Sequence, residues 1–188
     1  MKYVFIGGIP AAGKSYLAGK VAKAFKVQHI DIDRWRSELK KDPNLEPWVN
    51  FVWHQNEEKY WQSTDSQKHW QNLKNQSEAI WPIIKEKINK VVAAGEPAIF
   101  EGVNILPHLA KADLDFPGIY FLGKSFAQIF KRLKKEPCWG RTEELQKKEA
   151  EMFIREGSIF KKEAEKYGFK TFIDLRKAEK ELLNLLKI

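Results

Sequence analysis

Short apolar runs alternate with stretches of helical periodicity along the whole chain. The runs are rich in β-branched and aromatic residues and have the length of buried strands. They lie at residues 3–6, 27–33, 98–102, 117–122 and 169–175. Between them, apolar residues recur every three to four positions, which is typical of amphipathic helices. This alternation predicts an α/β fold, in which helices cover both faces of a five-stranded parallel sheet.

The segment between the second and third strands is much longer than one crossover helix. Six of the seven tryptophans lie in it, and helical spacing resumes after a capping-box pattern at residues 64–67. Pro82 is expected to kink this helix or to start a new one, and Gly95 to end it. We therefore predict an inserted helical lobe at residues 34–94 that closes over a second substrate. Its tryptophans are expected mainly in the core of the lobe.

A charged segment that contains proline and glycine follows the fourth strand and its helix. It passes through a break at residues 137–140 into a further helix, which is expected to begin at Thr142 and to be interrupted near Gly157. A charged link of this kind between helices suits a loop that closes over a substrate. We therefore predict a mobile lid at residues 134–157.

The length and composition of the chain favour a single domain that spans residues 1–188. Hydrophobic residues make up 43% of the chain, which is enough for a core. The single cysteine, Cys138, excludes an internal disulfide and fits a reducing compartment. The first residues lack the pattern of a secretory signal, and no apolar run is long enough to span a bilayer. We therefore expect a cytoplasmic protein without a membrane partner.

The net charge of +8 is spread over the chain and forms no basic tail. An ordinary lysine-rich surface accounts for it. Nucleic-acid binding is permitted by the charge alone but is not favoured by it.

Residues 8–15 fit the motif G-x-x-x-x-G-K-[ST] and lie between a predicted strand and a predicted helix, which is the setting of a phosphate-binding loop. Glycines let the loop direct its N–H groups inward as an anion nest, and the helix adds the positive end of its dipole. Lys14 is expected to reach the β- and γ-phosphates, and the Ser15 hydroxyl to ligate Mg²⁺. The predicted cofactors are therefore ATP and Mg²⁺. The nucleotide-binding residues predicted here are Gly8, Ile9, Pro10, Ala11, Ala12, Gly13, Lys14, Ser15 and Tyr16.

Two carboxylates, Asp31 and Asp33, end the second predicted strand. Ligands of open α/β sheets bind outside the carboxyl ends of the strands, and an extended strand directs alternate side chains to one side. One carboxylate can then hold Mg²⁺ through water while the other accepts a proton from an attacking hydroxyl. The pattern itself leaves open which carboxylate has which role; our working assignment is Asp31 for the metal and Asp33 for the proton. The alternative that one of them caps the helix beginning near Arg34 stays open.

Further polar residues near the same edge are candidates for substrate binding. Arg34 and Arg36 are both candidate clamps for an anionic group, with a solvated helix face as the default interpretation. Glu101 and Asn104 follow the third strand. His54 and His69 are candidate pocket residues of the helical lobe. No spacing of metal ligands accompanies them.

A cation of the lid is expected to neutralise the phosphoryl group during its transfer. The candidates are Lys135, Arg141 and Arg155. Arg141 is our working assignment as a catalytic residue.

These features resemble the small P-loop kinases, the group that includes gluconate, shikimate and adenylate kinases. The resemblance runs through nearly the whole chain and rests on the loop at residues 8–15, on residues 31–33, on the helical lobe and on the sequence before the lid. It implies the sheet order 2-3-1-4-5. It also implies that Arg132 packs on the adenine ring and that the segment containing Arg176 touches the edge of that ring.

A narrower resemblance is to 2-phosphoglycerate kinases and zeta-toxin-like kinases. It rests on residues 30–36, 76–82 and 100–107. It implies that Asp33 acts as the base on a sugar or glycerate hydroxyl and that Glu101 helps to hold this acceptor.

The chain departs from both of these narrower patterns. Ile105 stands where the zeta-like pattern has an arginine, and Asn104 stands where the phosphoglycerate-like pattern usually has a histidine. The first departure weighs against a toxin role, and the second leaves the acceptor open.

The predicted function is that of an ATP-dependent phosphotransferase. It would transfer the γ-phosphoryl group to a hydroxyl of a small molecule such as a sugar, a glycerate or a nucleoside. Two alternatives stay open: a kinase of polynucleotide 5′-hydroxyl ends, and a nucleotide-binding switch or NTPase without a small acceptor. The paired carboxylates and the large lobe favour an acceptor, so the switch ranks last.

Overall fold

A five-stranded parallel sheet in the order β2-β3-β1-β4-β5 forms the centre of the protein. The structure is a computed structural model that describes residues 2–49 and 57–186. The candidate His54 therefore lies outside the described residues. The predicted α/β class and the sheet order implied by the resemblance are both confirmed. The strands are β1 (Tyr3–Gly7), β2 (Gln28–Asp31), β3 (Ala98–Glu101), β4 (Gly118–Phe121) and β5 (Lys170–Phe172).

Helices connect the strands and flank the sheet. Several of them begin where the sequence places a capping side chain: Ser125 and Thr142 each accept a hydrogen bond from a backbone N–H of the first turn. The helices are α1 (Lys14–Phe25), α2 (Ile32–Glu38), α3 (Glu46–Val49), α4 (Glu57–Ser63), α5 (Ser66–Ala94), α6 (Pro107–Asp113), α7 (Phe126–Lys135), α8 (Glu143–Lys166) and α9 (Leu175–Leu185), with a 3-10 turn at Leu39–Lys41.

Strands β1, β3 and β2 end level with one another. Ile6 of β1 is paired with Glu101 of β3, and Glu101 is paired in turn with Asp31 of β2. The loop that follows β1 therefore begins at the same edge of the sheet as these two carboxylates. A ligand in the crevice at this edge meets all three.

The second strand is shorter than predicted, and this changes the position of Asp33. Strand β2 ends at Asp31, and α2 begins at Ile32. The side chain of Asp31 accepts a hydrogen bond from the N–H of Asp33 at 2.9 Å, so Asp31 is the N-cap of α2. The prediction that both carboxylates lie on one extended strand is wrong, and the capping alternative is confirmed for Asp31. Asp33 lies in the first helical turn instead.

Helix α5, which leads into β3, is one continuous element of 29 residues. It begins after Asp65, whose carboxylate accepts hydrogen bonds from the N–H groups of Gln67 and Lys68, so the cap lies one residue after the predicted one. Pro82 is inside the helix and does not start a new one. Gly95 ends the helix in the left-handed conformation, with φ of 79°, as predicted.

Helix α8 runs unbroken through Gly157, so the predicted interruption there is wrong. A Cβ atom at Gly157 would meet only ordinary contacts, with Ile9 at 3.7 Å and the carbonyl of Leu122 at 3.9 Å. The helical turn is instead fixed by buried neighbours on both sides, Phe153 and Phe160. Residues 143–157 of the predicted lid are thus part of a long helix, which leaves residues 136–142 as the link before it.

The segment at residues 34–94 is mostly helical, and its core joins that of the sheet. Helix α8 contacts both α4 and α5 of this segment as well as β4 and β5. Trp61, Trp70 and Trp81 are buried, as expected for residues of the lobe core, whereas Trp48 is 41% exposed. None of the helices in the described part of the chain is long and apolar enough to cross a membrane.

Candidate active site

The loop after β1 has the backbone geometry of an anion nest. Gly8 and Gly13 have φ angles of 127° and 100°, in a region that side chains disfavour. A Cβ atom at Gly8 would collide with the carbonyl of Phe121, and one at Gly13 would meet the Arg132 guanidinium at 2.9 Å. Both positions therefore require glycine. Helix α1 starts directly after Gly13, so its N-terminus faces the anion nest formed by the loop.

Lys14 and Ser15 are placed for phosphate and metal binding. The Lys14 side chain is only 5% exposed, and its Nζ donates to the carbonyl of Ile9 at 2.9 Å. The amine is therefore folded back over the loop, where phosphate oxygens can replace the carbonyl as acceptors. Ser15 and Tyr16 are exposed at the first turn of α1.

The carboxylates of Asp33 and Glu101 lie near enough to Asp31, at the carboxyl edge of the sheet, to affect its pKa. Burial raises the pKa of Asp31, and the negative charges of Asp33 and Glu101 raise it further. Burial also raises the pKa of Glu101, but the net shift is downward because His29 and Ser15 hydrogen-bond to it and Lys14 lies near it. Arg34 Nε lies 3.7 Å from Asp31 Oδ2 and Arg36 Nη1 lies 3.7 Å from Asp33 Oδ1, so nearby cations largely balance the negative charge at this edge.

The same residues fit Mg²⁺ by their donor chemistry. A serine hydroxyl beside partly buried carboxylates offers the hard oxygen donors that Mg²⁺ prefers, and Mg²⁺ usually completes its shell with water and phosphate oxygens. Within the described residues, no group of three or more His, Cys, Asp or Glu side chains has the geometry of an all-protein metal site. Ser15 and Asp31 are thus candidates for partial ligands and not members of a closed cage.

A cavity of about 280 Å³ opens beside the loop and brings predicted residues of three elements together. Lys14, Ser15, Asp33 and Arg36 all line it. The remaining lining residues are Pro10, Ala11, Val49, His69, Leu73, Gln76, Val103, Cys138, Trp139 and Glu156. Residues predicted to bind phosphate and residues predicted to bind the acceptor therefore line the same cavity.

Arg36 is held in this cavity by a buried polar network. Its Nη1 donates to Asn104 Oδ1 at 3.1 Å and lies 3.7 Å from Asp33 Oδ1. Asn104 is 1% exposed, and its Nδ2 donates to Gln76 Oε1 at 3.0 Å and to Ser77 Oγ at 2.8 Å. Asn104 is therefore behind Arg36 and is not one of the cavity-lining residues. Its amide orients the guanidinium.

Asp33 is presented to the cavity by the start of α2 and the loop after β3. Its Oδ1 accepts a hydrogen bond from the Val103 N–H at 3.3 Å. A Cβ atom at Gly102 would meet Asp33 Oδ1 at 3.3 Å and would collide with Ile32. The missing side chain at Gly102 therefore gives α2 room to bring Asp33 against the loop. Glu101, in contrast, is 1% exposed and lies outside the cavity lining.

Glu156 of α8 is a cavity residue that the sequence interpretation missed. It is 0% exposed, and neither carboxylate oxygen makes a hydrogen bond among the described residues. Burial raises its pKa to about 8, although the charge of Lys14 acts in the opposite direction. A signal was present in the sequence, since Glu156 lies three residues after Phe153 and four before Phe160, on the apolar face of its helix.

His69 faces Glu156 from the helical lobe. Its Nε2 is 3.7 Å from Glu156 Oε1, and its Nδ1 is 2.7 Å from the Tyr60 hydroxyl. Burial lowers the pKa of His69 to about 4, so the imidazole is neutral near pH 7. His69 therefore brings no positive charge to Glu156.

Trp139 and Cys138 close the cavity from the link before α8. The Trp139 ring stacks on Trp61 with centroids 5.7 Å apart and meets the edge of Phe153 at 5.8 Å. Burial raises the pKa of Cys138 to about 12, so its thiol stays protonated and is not a nucleophile. This part of the link supplies an aromatic wall.

Other residues predicted for nucleotide and phosphoryl binding lie outside the cavity lining. The guanidinium of Arg132, on α7, donates to the carbonyls of Ala11 and Ala12 and so braces the loop. Arg176 is exposed on α9, and Arg141 is exposed just after Gly140. The Gly140 N–H donates to Glu149 Oε1 at 2.8 Å, which fixes the residue before Arg141. Lys135 and Arg155 are also exposed.

The chain is similar in fold to several solved kinases. Shikimate kinase from Acinetobacter baumannii, in complex with shikimate, superposes with a TM-score of 0.57 at 10% identity, over 98% of this chain and 92% of that one. Deoxyadenosine kinase from M. mycoides with bound dATP gives 0.51 at 18% identity, over 99% and 100%. A gluconokinase from Sinorhizobium meliloti 1021 gives 0.50 at 14% identity, over 98% and 90%. These similarities show the fold of the small P-loop kinases.

Comparisons of the sequence itself found no match. No protein-family model matches the sequence, and the search of curated proteins gave no match. Its activity is therefore inferred from its own site.

Proposed function

We propose that the protein is an ATP-dependent phosphotransferase that phosphorylates a hydroxyl group of a small molecule. One observation carries the proposal: a single cavity is lined by the phosphate-binding Lys14 and Ser15 and by the carboxylate of Asp33. An acceptor bound there would have its hydroxyl between a base and the γ-phosphate. The solved kinases of this fold support the reaction class, and the size of the cavity supports a small acceptor.

In this proposal the acceptor hydroxyl oxygen attacks the γ-phosphorus of ATP. A new P–O bond forms to the acceptor, the bond from the γ-phosphorus to the β,γ-bridging oxygen breaks, and ADP leaves with that electron pair. The hydroxyl proton passes to Asp33 and then to solvent. Lys14 and the loop N–H groups stabilise the phosphate oxygens, and most of the rate enhancement comes from this positioning and charge.

Mg²⁺ would be held by Ser15, by phosphate oxygens and by water hydrogen-bonded to Asp31, and it would supply neutralising charge when bound. Arg141 remains our candidate for a lid cation. It is exposed on the link at residues 136–142, and the proposed role requires this link to move so that Arg141 comes over the phosphates. Arg132 and Arg176 remain the candidates for contact with adenine.

The test is ADP release from MgATP with pooled hydroxyl acceptors. The pools contain phosphoglycerates, sugars, nucleosides, amino alcohols and 5′-hydroxyl oligonucleotides, and Lys14→Ala serves as the blank. Turnover well above the acceptor-free rate with one small-molecule pool supports the proposal. Turnover with oligonucleotides alone would instead support a polynucleotide kinase. Binding of MgATP without stimulation by any pool would contradict the proposal and favour a nucleotide-binding switch.

A further inference from the structure

The phosphoryl-transfer scheme gives no role to the carboxylate of Glu156. It is fully buried, it lines the cavity, and neither oxygen has a hydrogen-bond partner among the described residues. Buried carboxylates are normally paired or hydrogen-bonded, since an unpaired one is costly. A group that is missing from the protein alone is therefore expected to complete this site.

Within residues 2–49 and 57–186, no unmatched cation faces that place once nucleotide is bound. The cationic side chains that line the cavity in this part of the chain are Lys14 and Arg36. Arg36 is matched by Asp33, whose Oδ1 is 3.7 Å away, and Lys14 will be matched by phosphate oxygens. His69, whose Nε2 is 3.7 Å from Glu156 Oε1, is neutral at pH 7 because it is buried. MgATP also adds negative charge to the same cavity, which favours a cationic acceptor over a neutral or anionic one.

The wall beside Glu156 is aromatic. Trp139 lines the cavity, and its ring is held by Trp61 and Phe153 at centroid distances of 5.7 and 5.8 Å. Aromatic rings attract ammonium groups through their negative faces, most strongly in desolvated sites. A buried carboxylate and a fixed indole in one small cavity are the two elements that recognise an alkylammonium ion.

We propose that the acceptor is a small amino alcohol, whose ammonium group binds between Glu156 and Trp139 while its hydroxyl lies at Asp33. The inference rests on the proposed function and adds the chemical class of the acceptor. The cavity of about 280 Å³ has to hold the transferring phosphoryl group as well, which limits the acceptor to a short chain. The γ-phosphoryl group is transferred to the hydroxyl oxygen as described above, and the ammonium nitrogen takes no part in bond making.

This site predicts that cation binding releases a proton. Burial keeps Glu156 protonated near pH 7 in the unliganded cavity, and an ammonium ion would favour the carboxylate, so the carboxyl proton leaves for the buffer. A neutral alcohol of the same shape has no such effect. The number of protons released therefore reports on Glu156 independently of catalysis.

The experiment is calorimetric titration of the protein loaded with MgADP at pH 7, in two buffers of different ionisation enthalpy. The probes are choline and its neutral isostere 3,3-dimethyl-1-butanol, and the same pair of measurements is made with 3-amino-1-propanol and 1-butanol. We expect at least one amino alcohol to bind about tenfold or more tightly than its isostere and to release up to about one proton. If no amino alcohol binds more tightly than its isostere, the inference is overturned.

Two variants separate the site from general effects. Glu156→Gln keeps the size of the side chain and removes the charge, so it should weaken amino-alcohol binding about tenfold or more, abolish proton release and leave the isostere unaffected. Glu163→Gln removes a carboxylate two turns further along α8, outside the cavity. It should change neither amino-alcohol binding nor proton release. Equal proton release in wild type and Glu156→Gln would contradict the assignment.

Failure of the amino-alcohol inference can be distinguished from failure of the proposed function. Phosphorylation of a sugar or nucleoside pool, with no preferential binding of amino alcohols, would leave the kinase standing and remove only the amino-alcohol inference. Binding of an amino alcohol through Glu156 without phosphorylation of any pool would establish the cation site and remove the kinase.

Discussion

The guanidinium of Arg36 and the amide of Asn104 form one hydrogen-bonded unit, with Arg36 Nη1 3.1 Å from Asn104 Oδ1. The two residues are 68 positions apart and come from α2 and from the loop after β3. Asn104 is in turn held by Gln76 and Ser77 of α5. The helical lobe and the sheet edge are thus joined behind the cavity, and Arg36 has its orientation fixed before any substrate binds.

Replacement of Asn104 should therefore act through Arg36. Asn104→Ala removes the hydrogen bonds that Gln76 Oε1 and Ser77 Oγ accept and frees the Arg36 guanidinium, so we expect a loss of about 1–3 kcal/mol in the free energy of unfolding. Acceptor KM should rise about tenfold while MgATP binding stays normal. Urea unfolding and steady-state kinetics check this, with the exposed Asn44→Ala as control. An unchanged acceptor KM in a folded variant would show that Arg36 does not depend on Asn104.

Asp33 and Asp31 should differ in their effects although they are two residues apart. Asp33→Asn removes the proposed base and should lower turnover about 10²-fold or more, with MgATP affinity retained. Asp31→Asn should mainly raise the Mg²⁺ concentration needed for half-maximal activity, and its amide oxygen can still cap α2. Magnesium titrations of both variants make the comparison. Near-normal turnover of a folded Asp33→Asn protein would rule out its role as a base.

Lys14 should be needed for nucleotide binding and not for folding. Its amine contacts only a loop carbonyl among its identified hydrogen bonds, so Lys14→Ala should fold, lose the thermal stabilisation that MgATP gives to the wild type, and show no turnover. Lys20→Ala is the matched control, because Lys20 is on the same helix and pairs at the surface with Glu179. A thermal shift by MgATP that persists in Lys14→Ala would contradict the assignment of the loop.

Glu156 should make stability fall as the pH rises. Burial raises its pKa from 4.5 to about 8, so between these values the native protein holds a proton that the unfolded chain has lost. The stabilisation is complete below the unfolded pKa and is lost as the pH passes through about 8. Glu156→Gln lacks this dependence.

His69 has the opposite effect in a lower range. Its pKa falls from 6.5 to about 4 on burial, so it favours the native state above pH 6.5 and loses that effect on acidification. The window from pH 6.5 to 8.5 therefore isolates Glu156. Urea unfolding of the nucleotide-free protein should show wild type losing stability relative to Glu156→Gln across this window. Parallel profiles would mean that Glu156 is ionised throughout.

Local sequence determined the loop and much of the fold. Some signals depend only on a few neighbouring residues, so they can be recognised in the sequence directly. They are the glycines and Lys-Ser of residues 8–15, the apolar runs of the five strands, and the caps at Ser125 and Thr142. Errors arose where one local signal competed with another. Asp31 is compatible both with the end of a strand and with a helix N-cap. It caps α2, so β2 ends before Asp33. Gly157 reads as a helix breaker, but the buried residues on either side of it keep α8 continuous.

Tertiary structure alone decided which residues come together on the acceptor side of the site. Glu156 and His69 are 87 positions apart, and only the packing of α8 against α5 brings Glu156 Oε1 within 3.7 Å of His69 Nε2. Arg36 obtains its orientation from Asn104 in the same way. A sequence pattern records periodicity and short-range capping, because these depend on neighbouring residues. The burial of the Glu156 carboxylate, which has no hydrogen-bond partner in the part of the chain that the structure describes, depends on which distant elements meet. That is fixed only by the assembled core.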